Sequence, residues 1–248
     1  MDIRVLVNDA LSIGSNVSAT FLAEQLVRQR NASCSDYILY AKCYNQNGEY
    51  RRCLAVLEHK GILSAQVFSE LSDAICLKDV QTSKSTQARL LVWLSGVHLA
   101  SLCLFSLEQY EECLDLLQPF FSVIEEEDNP STSNINTLIE NARAVFGSED
   151  SKMNLMSGVF CIIGRCLDIL DSKTRSICAF KIAIRIDAAC TEAVDYMVVN
   201  GLLSKGNRQT FFYEALTLTP GREWLESYYR SVSDVSVQIF LVYFFVSI

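Results

Sequence analysis

The strongest constraint on the fold of this chain is a two-helix pattern that returns along its length. Residues 35–57 read SDYILYAKCYNQNGEYRRCLAVL. Tyr37, Tyr40, Ala41 and Tyr44 fall at i, i+3, i+4 and i+7, the spacing of one helix face. Tyr50, Cys53, Leu54 and Leu57 make the face of a second helix. Gly48 stands between them and marks a turn, because glycine enters positive φ without steric cost. Only three prolines and ten glycines interrupt the 248 residues, which suits helices joined by short turns.

This unit resembles a tetratricopeptide repeat. That family places an aromatic, a large–small pair and a second aromatic on helix A, then a glycine at the turn and a small residue on helix B. Tyr37, Tyr40–Ala41, Tyr44, Gly48 and Cys53 meet those slots in order. The resemblance sets Ala41 and Cys53 where the two helices approach most closely, and a larger side chain there would overpack the contact by ~1–3 kcal/mol. A period of about 34 residues puts Ala19 in the same slot one repeat earlier, with Phe21, Leu22 and Leu26 on its helix B. The slot returns at Cys113, beside Tyr110 and Leu117, and again at Ser176. Around Ser176, Ile163–Gly164 is the large–small pair, Leu167 takes the second aromatic slot, and Phe180 and Ala183 finish helix B. The expected fold is all-α: a right-handed solenoid of antiparallel helix pairs with two insertions. Tyr37, Tyr40, Ala41, Tyr44, Cys53, Leu57, Ile163, Gly164, Phe180 and Ala183 are expected to be buried.

The spacings from Cys53 to Cys113 and from Cys113 to Ser176 exceed one period, which is what calls for the insertions. The first lies near 61–86, where Val67, Phe68, Leu71 and Ile75 are helically spaced ahead of polar QTSKST. The second, 122–152, contains EEEDNPSTSN, which reads as an exposed loop, and then Leu138, Ile139, Ala142, Val145 and Phe146, a short helix ended by Gly147. The expected organisation is repeats over 1–121, this acidic loop and helix over 122–152, further repeats over 153–234 and an apolar tail over 235–248. CTEAVDYMVVNGLLS opens another helix A, and QTFFYEALTL and REWLESYYRS continue the pattern in degenerate form. The tail, VSVQIFLVYFFVSI, is shorter than the ~20 residues a helix needs to cross a bilayer. It is expected to be a truncated or mis-spliced end packing weakly on residues 211–229, and a membrane role is not expected.

A net charge of −8 repels phosphate backbones, so nucleic acid is not an expected partner. The ten cysteines contain no C-x-x-C pair; the closest are Cys161 and Cys166, and only His59 and His98 are available to help ligate a metal. They read as reduced core thiols in a reducing compartment, with no metal and no cofactor. His98 lies in the apolar run 94–102 and reads as a packed residue. Glu125–Glu126–Glu127–Asp128 reads as a solvated loop. No Ser-His-Asp order, phosphate-binding glycine loop or H-E-x-x-H motif is present, so neither catalysis nor a small-molecule substrate is expected. The first residues, MDIRVLVNDALSIG, do not have the form of a secretory leader.

Three segments are similar to the N-terminal part of the cell division cycle protein 16 subunits of the anaphase-promoting complex. They are Ala19 to Ala23 with Ala41–Lys42–Cys43; the run Gly164–Arg165–Cys166–Leu167–Asp168–Ile169–Leu170–Asp171 with Phe180–Lys181–Ile182–Ala183–Ile184; and Asp187–Ala188–Ala189–Cys190–Thr191–Glu192–Ala193–Val194–Asp195. The last is not demanded by the generic repeat. The resemblance covers roughly 19–57 and 154–218, more weakly 108–117, and places no counterpart for 61–86. It implies a non-catalytic scaffold that forms a homodimer and joins other subunits of a ubiquitin ligase, in nucleus and cytoplasm. Family members are longer, and the C-terminal superhelix that holds an accessory subunit is not carried over. Repeat geometry turns Ile38, Lys42, Asn45, Arg165 and Asp168 toward the concave groove as candidate partner contacts. The alternative is a generic adapter or co-chaperone gripping a partner peptide in that groove. A carboxylate clamp, however, needs a lysine where Ile38 stands.

Overall fold

A computed structural model describes residues 2–76, 84–121, 124, 134–146, 153–217 and 224–234. Among them there is no strand, and the all-helical expectation holds. The chain divides into two compact units, Met1–Pro119 and Phe120–Ile248. The first holds α1 (Ile3–Ser12), α2 (Asn16–Val27), α3 (Cys34–Gln46), α4 (Tyr50–His59), α5 (Ala65–Cys76), α6 (Lys84–Ser106) and α7 (Tyr110–Leu117). The second holds α8 (Asn134–Phe146), α9 (Leu155–Ile169), α10 (Lys173–Ile186), α11 (Thr191–Val199), α12 (Lys205–Thr217) and α13 (Leu225–Asp234).

Helix pairs are set by one repeated device. The inner residue of helix A packs against the inner residue of helix B twelve positions on: Val7 with Ala19, Ala41 with Cys53, Ser101 with Cys113, Gly164 with Ser176. All eight are buried. Two of these contacts are also hydrogen bonds, from Ser176 Oγ to the Gly164 carbonyl at 2.8 Å and from the Cys113 thiol to the Ser101 carbonyl at 3.6 Å. A helix-B residue that is both short and a donor lets the backbones close up without orphaning a group.

The turns repeat as well. Gly14, Gly48, Glu108, Asp171 and Gly201 all take positive φ, between 59° and 74°. In each case the next amide donates to the carbonyl five residues back, as from Glu49 to Tyr44 and from Ser172 to Leu167. This is the hydrogen bond that closes a helix C-terminus around a left-handed residue. Glu108 and Asp171 hold that conformation with a Cβ, which is strained for an L-residue. Glu108→Gly is expected to stabilise the chain by about 0.5–1 kcal/mol, the relief of strain less glycine's entropy cost. Asp171→Gly should gain less, because aspartate tolerates this region better. A lowered denaturation midpoint for Glu108→Gly would show instead that the glutamate side chain makes contacts worth more than the strain.

In the first unit α6 packs on both α3 and α4 and so takes the place of the next helix A, with α5 set beside it. The first insertion therefore adds a helix without breaking the stack. Val67, Phe68 and Leu71 are buried, as their spacing implies. At 23 residues α6 is long and apolar enough to cross a bilayer by length and composition alone. Here its buried residues, among them Leu94, Leu99, Ala100 and Cys103, face neighbouring helices. Asp2 caps α1, and Ser33 with Asp36 forms a capping box on α3. Asp36, 1% exposed, also receives a forked pair of bonds from Arg4 of α1 at 2.6 and 2.9 Å. The Arg4 bonds, helped by those from Ser33 and opposed by burial, hold its carboxyl down from 3.8 to about 2. A depressed carboxyl stabilises above its unfolded pKa and loses that contribution as pH falls through the folded value. The stability difference between the wild type and Arg4→Ala should therefore be full above pH 4 and shrink toward about pH 2, as read from urea midpoints across pH. A difference constant over that range would remove the ion pair from the account.

In the second unit α9 and α10 form the tightest hairpin, and α8 lies against both. Ile139, Ala142, Val145 and Phe146 make its buried face. The side chains of Ile75 and Leu138, and all of Gly147, EEEDNPSTS and the 235–248 tail, lie outside the described residues.

Several expectations are corrected. Tyr37, Tyr40 and Tyr44, expected to be buried, are half-buried, as is Tyr110, while Gly48 stands exposed at the turn its position implied. A phenol needs a partner for its hydroxyl, so these rings pack by their bodies and leave their tips near the rim. The Tyr40 and Tyr44 hydroxyls bond to each other at 2.7 Å, and the Lys60 ammonium lies 4.4 Å from the centre of the Tyr37 ring. Phe21 is 61% exposed, because α2 turns Ala19, Ala23 and Leu26 inward instead. Nine described cysteines are free, and all but Cys34 are buried. Burial pushes the Cys43 thiol up to about 11, which keeps it unreactive.

Candidate interaction surfaces

The five candidate groove residues separate into two sets, one in each unit. On α3, Ile38 packs into the cluster of Ala41, Leu57, Ile62, Leu99 and Ala100. Asn45 accepts a bond from the Cys103 thiol at 3.3 Å. Both therefore face α6, not an open groove, because α6 occupies the position of the next helix A. A Cβ added to Gly96 on α6 would stand 3.5 Å from Ile38 Cδ1, so the two helices are in close contact. Lys42 alone of this set is exposed.

In the second unit Arg165 and Asp168, one turn apart on α9, are brought together by a residue that sequence reasoning did not single out. Tyr196 of α11 donates its hydroxyl to Asp168 Oδ2 at 3.0 Å, and the Arg165 guanidinium lies 5.9 Å from its ring centre. Lys173 approaches Asp168 Oδ1 at 3.6 Å. Burial, with the Asp168 carboxylate beside it, pushes the Tyr196 hydroxyl up to about 12. The Phe180 ring lies 5.0 Å away. Arg165 and Asp168 thus tie one helix A to the next, and each is half-buried. Their signal in the sequence was charge on a helix face; the ring they meet lies 28 positions from Asp168, beyond any local pattern.

The segment 187–195 has a clear structural role. Asp187, 4% exposed, ends α10 and accepts from the Asn154 amide at 2.9 Å and the Ala189 amide at 2.9 Å. Asn154 caps α9 and donates to the Ala142 carbonyl of α8. Arg143 of α8 donates to the Arg185 and Ile186 carbonyls at the end of α10. Tyr229 of α13 donates to the Ala188 carbonyl at 2.6 Å, and Tyr228 to Asp195 at 2.5 Å. This corner fastens α8, α9, α10, α11 and α13.

His98 is partly buried, and burial lowers its pKa to about 4, so it is neutral at physiological pH. Among the described residues no group of three His, Cys, Asp or Glu is placed to hold a metal ion. Large apolar residues reach the surface in both units: Val5, Ile13, Val17 and Phe21 on the first hairpin are 54–80% exposed, and Met153, Ile169, Leu170, Tyr213 and Trp224 are exposed in the second unit. Val17 and Phe21 share one face of α2.

A sequence family described as anaphase-promoting complex, cyclosome, subunit 3 matches residues 14–78. The match runs from the first turn through α5, so the stretch for which no counterpart was placed is largely inside it. Anaphase-promoting complex subunit 6 of Arabidopsis thaliana is 22% identical over 227 residues, which is 92% of this chain and 36% of that protein. A crystal structure of the APC/C hetero-tetramer Cut9-Hcn1 matches with a TM-score of 0.56 and 21% identity, over 84% of this chain and 30% of that one. The chain spans about a third of the length of these relatives. Its fold is a helix repeat of the tetratricopeptide type, and its sequence is similar to that of subunit 6 of the anaphase-promoting complex.

Proposed function

We propose that this chain is a non-catalytic scaffold in a ubiquitin ligase of the anaphase-promoting-complex type, where it holds other subunits and pairs with a second copy of itself. The observation that carries the reading is the match to a subunit of that complex along 92% of the chain, through both units. The side chains brought together at Arg165, Asp168 and Tyr196 are held by one another, an arrangement suited to positioning helices. Capture of the tagged chain from dividing cells tests the reading. Other subunits of the complex should be enriched over a control capture, and their absence would end it. A tagged chain should distribute between nucleus and cytoplasm, and confinement to another compartment would count against the assignment.

Self-association is assigned to the first hairpin, because four large apolar side chains, Val5, Ile13, Val17 and Phe21, stand in solvent together on that one element pair and the turn between its helices. Val17→Glu with Phe21→Glu should weaken dimerisation at least about tenfold in sedimentation equilibrium, since a charge in an apolar contact is left unpaired. Lys42→Glu should leave dimerisation unchanged. The reverse result would move the interface to the groove side of α3.

A further inference from the structure

The helix inserted between the second and third hairpins builds a groove that the scaffold reading does not use. One face of α5 and the end of α7, with the residues just after it, border an open groove of about 580 Å³. That lies within the ~300–1,000 Å³ of ligand-binding pockets and far exceeds the space of one water. Phe68 from α5 and Leu116 and Pro119 from the other side give it apolar surface. Its ionisable groups are both carboxylates, one from each wall: Asp73 on α5 and Asp115 on α7.

Some acids of this unit have cations: Glu24 has Arg28, Glu49 has Arg52 and Glu70 has Arg89. Among the described residues no cation pairs with Asp73 or Asp115, and both are exposed to the groove's solvent. Two separated carboxylates over an apolar floor complement a long basic side chain. Its methylenes would lie on Phe68, Leu116 and Pro119 while its charged head meets the acids. A guanidinium suits the arrangement best, because its planar fork offers donors in several directions at once.

We propose that this groove binds an arginine or lysine side chain presented on an extended segment of a partner protein. Ser72, also on the groove face of α5, supplies a hydroxyl for the segment's backbone. The site is independent of membership in any ligase, and its test does not need one.

The intact chain is titrated, by fluorescence anisotropy at low salt, into a fluorescein-labelled Gly-Ser-Arg-Leu-Gly-Ser peptide and into the same peptide carrying citrulline. The arginine peptide should bind about tenfold more tightly, because citrulline keeps the shape and removes the charge. Asp73→Asn and Asp115→Asn should each weaken the arginine peptide by about fivefold, with unchanged circular dichroism. Glu111→Gln, an exposed acid outside the groove, should have no effect. Three outcomes would overturn the site: no binding of the arginine peptide, equal binding of both peptides, or the same loss from Glu111→Gln as from the groove variants. The last would mean that the peptide reads only the chain's net charge of −8.

Discussion

Gly164→Val is expected to cost about 3 kcal/mol, the upper end of overpacking, and to loosen the α9–α10 hairpin as a unit. A Cβ at this position would stand 2.8 Å from Cε1 and 2.9 Å from Cδ1 of Phe180. That ring is 0% exposed and is backed by Tyr196, so it has nowhere to turn. Moving α9 outward instead would break the Ser176 bond to the Gly164 carbonyl and leave a buried acceptor unpaired. Gly164→Ala should show the same effect at about half the size, since only the Cβ is added. Phe180→Leu in the valine background should restore about 1 kcal/mol or more through the coupling of the two sites. Urea denaturation followed by far-ultraviolet dichroism reads all three. Wild-type stability for Gly164→Val would mean that the helices tolerate separation and that the inner-residue register does not hold the pair.

Asp187→Ala is the second large effect, at about 2–4 kcal/mol. The carboxylate is the acceptor for two amides, those of Asn154 and Ala189, and it lies near the partly buried Arg143 guanidinium. Alanine would strand both amides and remove the negative charge opposite that cation. Asp187→Asn keeps one acceptor oxygen and should cost about half as much. If alanine and asparagine behaved alike, charge rather than hydrogen bonding would dominate the corner. If neither mattered, the corner would not be what fastens α8 and α9 to the end of α10.

These two positions also show how far the sequence reached. Gly164 was legible as a close-approach residue because repeat spacing set it one helix away from Ser176. Asp187 was marked only by a resemblance, and its role depends on Asn154, 33 positions away, and Ala189. The resemblance to the tetratricopeptide repeat, carried along the chain by the repeat length, gave the inner residues Ala41, Cys53, Cys113 and Ser176, all of which are buried. The pattern of helix faces overstated the burial of Tyr37, Tyr40 and Tyr44. Periodicity says which way a side chain points, and whether a phenol ends in core or at a rim depends on where its hydroxyl finds a partner.

Tertiary structure alone decided the rest. Ile38 and Asn45 were placed in a groove by repeat geometry, yet α6 comes to rest on that side of α3 and covers them. Nothing in the run from 84 to 106 announces that it stands in for the next helix A after an inserted α5, because that depends on which surfaces α3 and α4 leave open. Phe21 points outward because three smaller apolar residues on α2 fill the space against α1 and α3. The sequence by itself determined that the chain would be helices in pairs, since that follows from side-chain period, and its likeness to a known repeat marked which small residues sit between them. Which helix becomes whose neighbour, and so which residues remain for a partner, was settled by long-range packing, where the contacts that choose lie tens of residues apart.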